Sequence, residues 1–158
     1  MIDNDNIRSV VISGLKEYLG IPIIMSNQNN TPPNYPYASY TVITLESLNN
    51  GTWGVYKDDI DRLPVKQTWS ITIQSDDEDE SVKYATMARD YLKHIGTCYL
   101  NDNNVIVESV TDITNRDNII SIEYEYKNGF DAVFWLMNEV KNPISYIGKI
   151  EKLNLKEE

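Results

Sequence analysis

The sequence QTWSITIQ, residues 67–74, carries the strand pattern on which the fold prediction rests. Its apolar residues Trp69, Ile71 and Ile73 alternate with polar ones. Because successive side chains of a strand point to opposite faces of the sheet, this alternation predicts a strand with one buried and one polar face. The segment is therefore interpreted as a half-buried strand.

A helix pattern follows this strand directly. Residues 75–80, SDDEDE, are polar or acidic, and apolar residues then recur every three to four positions from Val82 to Ile95. Gly96 ends the pattern. Because the macrodipole favours negative charge at a helix N-terminus, the acidic run is interpreted as a cap with a solvated first turn. A metal site is the alternative, which is disfavoured because neighbouring carboxylates splay apart.

The rest of the chain supplies another helix and further strands. Apolar spacing predicts a helix over 4–19, and strand patterns occupy 21–25, 37–48 and 105–113. Residues 52–65 fit either a long loop or the tip of an extended hairpin. The order helix, strands, helix, strands contains no βαβ alternation, which disfavours a parallel sheet. We predict an α+β fold with two helices packed on a mostly antiparallel sheet.

A hairpin is predicted near the C-terminus. Two apolar runs within 118–137 flank Asn128-Gly129, which is the sequence signature of a type I′ turn. With that turn, the residues that face each other in the core are Tyr124 and Val133, Ile122 and Trp135, and Ile120 and Met137. The sequence thus predicts a long C-terminal β-hairpin whose Gly129 is required by the turn.

The opposite face of this predicted hairpin carries an apolar row, Ala132, Phe134 and Leu136, beside the acidic residues Glu123 and Glu125. An apolar row next to an acidic one is unusual for simple solvent exposure. We interpret the apolar row as a contact surface. The alternative is that a helix of the same chain covers it.

Composition limits the possible functions. The chain has 158 residues, with 14 basic and 24 acidic side chains and a formal net charge of −10. This balance disfavours specific nucleic-acid binding, which needs a basic surface to neutralise phosphates. No apolar stretch approaches the roughly 20 residues of a membrane span, and we expect no membrane contact. We divide the chain into one α+β domain, 1–142, and a strand or extended arm, 143–158.

Patterns that indicate catalysis are sparse. His94 and Cys98 are four residues apart, but no third orienting group accompanies them, so Cys98 is interpreted as a small residue near a helix end. A carboxylate cluster without the spacing of a calcium loop consists of Asp58, Asp59 and Asp61. We expect no enzyme activity, no metal and no cofactor. The alternative is a small metal-dependent hydrolase that uses these aspartates with the carboxylates of 76–80.

Three segments resemble a known family. PNYPYASY at 33–40 leads into a strand, WSITIQS at 69–75 runs into the acidic helix start, and IEYEY at 122–126 precedes Gly-Phe-Asp at 129–131. Together they resemble small neck and tail-terminator proteins of tailed bacteriophages and related contractile particles. The resemblance covers most of the chain, but neither 52–65 nor the charged C-terminal extension.

The resemblance implies a structural virion protein of the tail or neck, assembled in the cytoplasm of the bacterial host. Its protomers are expected to form a homo-oligomeric ring, hexameric in this family, that caps the tail tube, stops its polymerisation and meets the head connector or collar. Tail-tube and sheath subunits and neck proteins are the expected partners. DNA is expected to pass through the acidic ring without specific binding. The alternative in the same class is a head-completion or tail-joining protein.

Aromatic and apolar side chains are the candidates for an interface, because Tyr and Trp are enriched where one end of a side chain is buried and the other is hydrogen-bonded. The candidates are Trp53, Tyr56, Phe134, Leu136, Ile144, Tyr146 and Ile150. The last three lie in 144–155, which alternates in part with period two after Pro143. This segment is interpreted either as the last strand or helix of the protomer or as an arm that adds a strand to a neighbour.

Overall fold

The computed structural model describes residues 1–48, 54–117 and 124–141. Its helical elements are α1 (Asn4–Leu19), α2 (Glu78–Asp90), a π-helical turn (Tyr91–Ile95) and α3 (Thr97–Asp102). Its strands are β1 (Ile23–Met25), β2 (Tyr37–Leu48), β3 (Val55–Lys57), β4 (Ile60–Ser75), β5 (Ile106–Val110), β6 (Thr114–Asn115) and β7 (Tyr126–Lys141). The division of the chain at 142 stays a prediction, because 142–158 lie outside these ranges.

One sheet contains all the described strands, in the order β1-β2-β4-β7-β5, with β3 paired to β4 and β6 paired to β7. The pair β1–β2 is parallel and the other pairs are antiparallel. The two longest strands, β4 and β7, pair over their full 16 residues, from Ile60 opposite Lys141 to Ser75 opposite Tyr126. The prediction of an α+β fold with a mostly antiparallel sheet is confirmed.

The core lies between the helices and one face of the sheet. Trp69 is almost fully buried at its centre, stacks on Tyr40 with ring centroids 5.4 Å apart, and meets Phe134 edge-on at 5.6 Å. Ile71 and Ile73 continue the buried face of β4, as the alternation predicts. The helical elements contribute Val11, Leu15, Ala85, Ala88 and Leu92 to the same cluster.

The predicted helix over 82–95 is present, but its pitch changes near the end. The α-helix α2 passes into the π-helical turn at Tyr91. The side chain of Tyr91 lies so close to Gly14 and Gly96 that a Cβ on either glycine would collide with it. Tyr18 of α1 stacks on the same ring, with centroids 5.3 Å apart. Burial raises the pKa of Tyr91 above its usual value. The two glycines therefore allow α1 and the π-helical turn to pack against each other through one tyrosine.

The predicted hairpin at Asn128-Gly129 is wrong. Strand β7 runs through both residues, which lie opposite Ile73 and Thr72 of β4. Gly129 does not have the left-handed backbone that a type I′ turn requires. A Cβ at this position would instead collide with the carbonyl oxygen of Ile71. The glycine is there because the backbone of β4 approaches closely.

Loss of the hairpin interchanges the two faces of β7. Val133, Trp135 and Met137 lie on the side of the sheet away from the core, where their partners on β4 are Thr68, Lys66 and Pro64. Ala132 and Phe134 are fully buried and Leu136 is nearly so, on the core side. Ile120 and Ile122, two of the expected partners, lie outside the described residues. Pairing with β4 therefore replaces the predicted local pairing.

A left-handed two-residue turn lies between β3 and β4 instead. Its residues Asp58 and Asp59 both have positive φ, 56° and 60°, as the central residues of a type I′ turn require. Lys57 opposite Ile60 closes the hairpin. Of the two alternatives for 52–65, the extended hairpin tip is therefore confirmed over the part that the structure describes.

Candidate interaction surface

The acidic run at 75–80 caps a helix. The carboxylate of Asp77 accepts a hydrogen bond from the Asp79 amide at 2.9 Å, and the Ser75 hydroxyl donates to Glu80 at 2.6 Å. These bonds satisfy groups in the first turn of α2, which confirms the cap interpretation. Over residues 1–48, 54–117 and 124–141, no three His, Cys, Asp or Glu side chains are grouped closely enough to hold a metal ion.

His94 and Cys98 belong to different helical elements. His94 lies in the π-helical turn, whereas Cys98 is exposed in α3. Gly96 separates the two elements, and the Thr97 hydroxyl donates to the His94 carbonyl at 2.9 Å. The two side chains therefore do not share one face of a continuous helix, which is the arrangement that their spacing of four residues would give.

The clearest candidate site is a surface at one end of the sheet. We call it the distal extension and define it as residues 43–48, 54–64 and 137–141, the ends of β2, β4 and β7 together with β3. Large apolar side chains on it are 47% to 63% exposed; they are Ile43, Leu45, Leu48, Val55, Tyr56, Met137 and Val140. The strand register places them on both faces of the sheet, with Val55 and Met137 on one and Tyr56 and Val140 on the other. Exposed apolar residues grouped in one region mark interaction sites.

Polar contacts hold the strands of the distal extension together. Arg62 donates through Nε to Glu139 at 2.8 Å, across the pairing of β4 with β7. The Tyr56 hydroxyl donates to Asp59 at 2.7 Å, and this hydrogen bond to a carboxylate raises the pKa of Tyr56. The surface therefore has a defined geometry, which an interface needs if association is not to cost additional ordering.

Both edges of the distal extension lack a further strand among the described residues. On one side, β3 pairs only with β4. On the other, β5 covers β7 from Ala132 to Trp135, and no described strand pairs with 136–141 beyond β4. The Met1 ammonium donates to the Glu139 carbonyl on this second edge. Unpaired strand edges present backbone donors and acceptors to another chain.

Two cavities that share lining residues lie beside the unpaired edge of β7, and we call them together the β7 slot. On the outer face of the sheet its wall contains Ile106, Trp135 and Met137. On the core face its wall contains Ile2 and Ile7 of the N-terminal region together with the polar residues Asp3, Asn6 and Asn103. The residues that line both sides are Asn104, Leu136 and Met137. A strand laid along this edge would therefore contact apolar side chains on both of its faces.

Trp135 is held in place on the outer wall of the slot. The Lys66 ammonium lies 4.6 Å from the centroid of the Trp135 ring and pairs with Glu108 at 2.6 Å. A cation over an aromatic face is attracted by the ring quadrupole. The indole therefore has a charged neighbour on β4 that favours its position on the outer wall of the slot.

The predicted interface residues fall into three groups. Tyr56 lies on the distal extension and is about half exposed. Phe134 and Leu136 are buried inside the protomer, so the interpretation of their row as a contact surface is corrected to the alternative, a row covered by the same chain. The remaining candidates, Trp53, Ile144, Tyr146 and Ile150, lie outside the described residues.

Sequence reasoning missed Ile106, Met137 and Val140, which are exposed beside the unpaired edge of β7. Met137 was assigned to the core by the predicted hairpin register. One signal could have indicated that Met137 is exposed. The alternation of apolar and polar residues continues past Leu136, and the sequence offers no helix to cover that end of the strand. A strand longer than its covering layer leaves apolar residues on the surface.

Exposed apolar side chains beside unpaired strand edges are typical of a protein surface that binds other chains. The chain matches the family of phage neck terminator proteins over residues 9–158. It belongs to this family, so the resemblance noted in its sequence is confirmed. No curated protein matches the chain significantly. The protein is therefore a structural component of the phage neck, located in the neck or tail of the virion.

No helix in the described part of the chain is long and apolar enough to span a membrane.

Proposed function

We propose that this protein is a tail terminator. In this proposal a ring of its protomers, hexameric as in the proteins it resembles, caps the tail tube, stops its polymerisation and binds the head connector or collar. Tail-tube subunits, the sheath where the tail is contractile, and other neck proteins are its partners. Membership of the phage neck terminator family supports the proposal, and the distal extension is the structural observation that carries it.

The two edges of the distal extension support a ring rather than a simple dimer. One edge is formed by β2 and β3, and the other by the end of β7. These surfaces differ in sequence, so a contact in which either edge of one copy meets a different surface of the next copy is heterologous. Heterologous contacts repeat from copy to copy and close into a ring when the rotation between copies is suitable.

The charge of the protein suits a channel that DNA crosses without adhering. The formal net charge is −10, and a surface of the same sign as DNA repels the phosphate backbone. Several basic side chains are also neutralised within the protomer by ion pairs: Arg62 with Glu139, Lys66 with Glu108, Arg116 with Asp131 and Lys127 with Glu125. We infer that DNA passes through the ring without a specific binding site.

Native mass spectrometry of the purified protein tests the ring, and electron microscopy of tail tubes mixed with it tests the cap. Val55→Asp places a charge on the most exposed apolar residue of β3 and is expected to reduce both the ring and the fraction of capped tube ends. Val82→Asp is the matched control, because Val82 is an exposed valine on α2, outside the distal extension. A wild-type chain that stays monomeric and leaves tube ends bare contradicts the proposal.

A further inference from the structure

We infer that the β7 slot of one copy binds residues 144–150 of a second copy as an added strand. The inference rests on the proposed ring and names the contact that links its protomers. It brings together two observations: a strand edge with apolar walls on both sides, and a C-terminal segment of matching pattern that lies beyond the end of β7.

The slot has the length of a strand. The edge of β7 that no described strand covers runs from Leu136 to Lys141. At about 3.3 Å per residue, six residues span roughly 20 Å, which is the usual length of a strand in a globular protein. An added strand here would continue the line of β5, which pairs with the preceding part of β7 and begins at Ile106.

The pattern of the segment matches the two walls. Residues 144–150 read ISYIGKI, so Ile144, Tyr146 and Ile150 would lie on one face of a strand and Ile147 on the other. The outer wall offers Ile106 and Met137, which are 52% and 49% exposed. Strand addition takes its affinity from backbone hydrogen bonds and its specificity from side chains in such pockets.

The turn residues favour a second copy as the source of the segment. If the same chain filled its own slot by a tight hairpin, Asn142-Pro143 would have to form the two-residue turn after Lys141. A type I′ turn needs positive φ at its second central residue, which Pro143 cannot adopt. A type II′ turn needs positive φ at Asn142, which only glycine adopts readily, and Pro143 further restricts the backbone of Asn142.

The reach and charge of the segment also suit a neighbour. Residues 142–158 are 17 in number, and an extended chain of that length spans up to roughly 56 Å. Residues 144–150 contain one lysine and no acidic residue, in a chain whose net charge is −10. The lining of the slot includes Asp3, whereas the carboxylate of Glu139 pairs with Arg62. An apolar segment with one positive charge is thus complementary to an apolar slot beside an acidic residue.

Single substitutions in the full-length chain test the contact. Met137→Asp places a charge in the slot, Ile147→Asp places one in the segment, and Val82→Asp is again the control. We expect the first two to raise the dissociation constant of association by about 30-fold or more, which is the effect of removing an interface hot spot. Native mass spectrometry over a dilution series measures it. Thermal unfolding checks the fold, and Ile106→Asp replaces Met137→Asp if that variant fails to fold.

Mixing the two variants tests whether the segment comes from another copy. The Met137→Asp protein keeps an intact segment, and the Ile147→Asp protein keeps an intact slot. An equimolar mixture is therefore expected to form a heterodimer through one intact contact, although each variant alone is monomeric. A mixture that stays monomeric overturns the inference, and so does a slot or segment variant that associates like the wild type.

The outcomes separate this inference from the proposed function. If the wild type and both variants all form rings, the exchanged strand is wrong and the ring proposal stands. If the wild type is monomeric in solution and on tail tubes, both are wrong. A wild-type ring, monomeric single variants and a heterodimer in the mixture together support the exchange of the C-terminal segment.

Discussion

The two halves of the β4–β7 strand pair have the same register but different surroundings. In the half covered by helices, Trp69 and Phe134 are fully or almost fully buried. In the distal extension, Met137 and Val140 of the same strand β7 are about half exposed. The pairing of the two strands is continuous across both halves. What differs is the helical layer, which packs on only part of the sheet.

The residues that stabilise the fold are therefore in one half of the strand pair, and the exposed apolar residues are in the other. Burying a large apolar side chain on folding contributes roughly 1.5–3 kcal/mol, so the covered half supplies the stability of the protomer. An apolar side chain left exposed contributes nothing of this kind until a partner covers it. The same two strands therefore hold the core at one end and leave apolar side chains exposed at the other, and substitutions at the two ends should have different consequences.

The largest expected effect is in the covered half. Phe134→Ala should lower the free energy of unfolding by about 3–5 kcal/mol, because it removes a buried ring and leaves a cavity beside Trp69. Val140→Ala in the distal extension should change it by less than about 0.5 kcal/mol. Urea unfolding of both variants, followed by tryptophan fluorescence, measures the two values. Equal losses would mean that the extension is part of the core.

Gly129 gives the next largest effect, and it also tests the register of β7. Gly129→Asn should lower the free energy of unfolding by about 1–3 kcal/mol, because its Cβ would collide with the carbonyl oxygen of Ile71. A type I′ turn, in contrast, accepts asparagine readily. An unchanged melting temperature of the Gly129→Asn variant would therefore support the hairpin that the sequence predicts and contradict the continuous strand.

Local patterns predicted the elements whose signals are local. The helix α1 and the strand β2 have the predicted bounds, 4–19 and 37–48. The alternation in 67–74 correctly identified the buried face of β4. In each case the periodicity of the segment agrees with its burial in the protomer, so tertiary contacts reinforce the local preference.

The C-terminal strand shows where local patterns were insufficient. Asn128-Gly129 is a strong hairpin signal over a few residues, but full-length pairing with β4 includes 16 residue pairs and overrides it. For this reason the sequence placed Phe134 and Leu136 on a contact surface and Met137 in the core, whereas the structure has the reverse.

The candidate site was only partly predictable for a related reason. Tyr56 could be selected because an exposed aromatic residue is a local feature. Ile106 and Met137 become neighbours through the pairing of β5 with β7, and nothing in either segment alone indicates it. The β7 slot further depends on where β5 ends and where the N-terminal residues lie, which are properties of the assembled sheet.

The smallest expected effect concerns the turn of the distal extension, Asp58-Asp59. A glycine introduced there would relieve backbone strain, whereas Gly129 in the covered half avoids a steric collision. At Gly129 the constraint is space, whereas at Asp58 it is the backbone, because φ is 56°. Asp58→Gly should therefore be more stable than Asp58→Ala by about 1 kcal/mol, since left-handed backbone is costly for a residue with a Cβ. Both variants keep the hydrogen bond from Tyr56 to Asp59. Urea unfolding of the pair measures the difference, and equal stabilities would mean that this turn is not left-handed in solution.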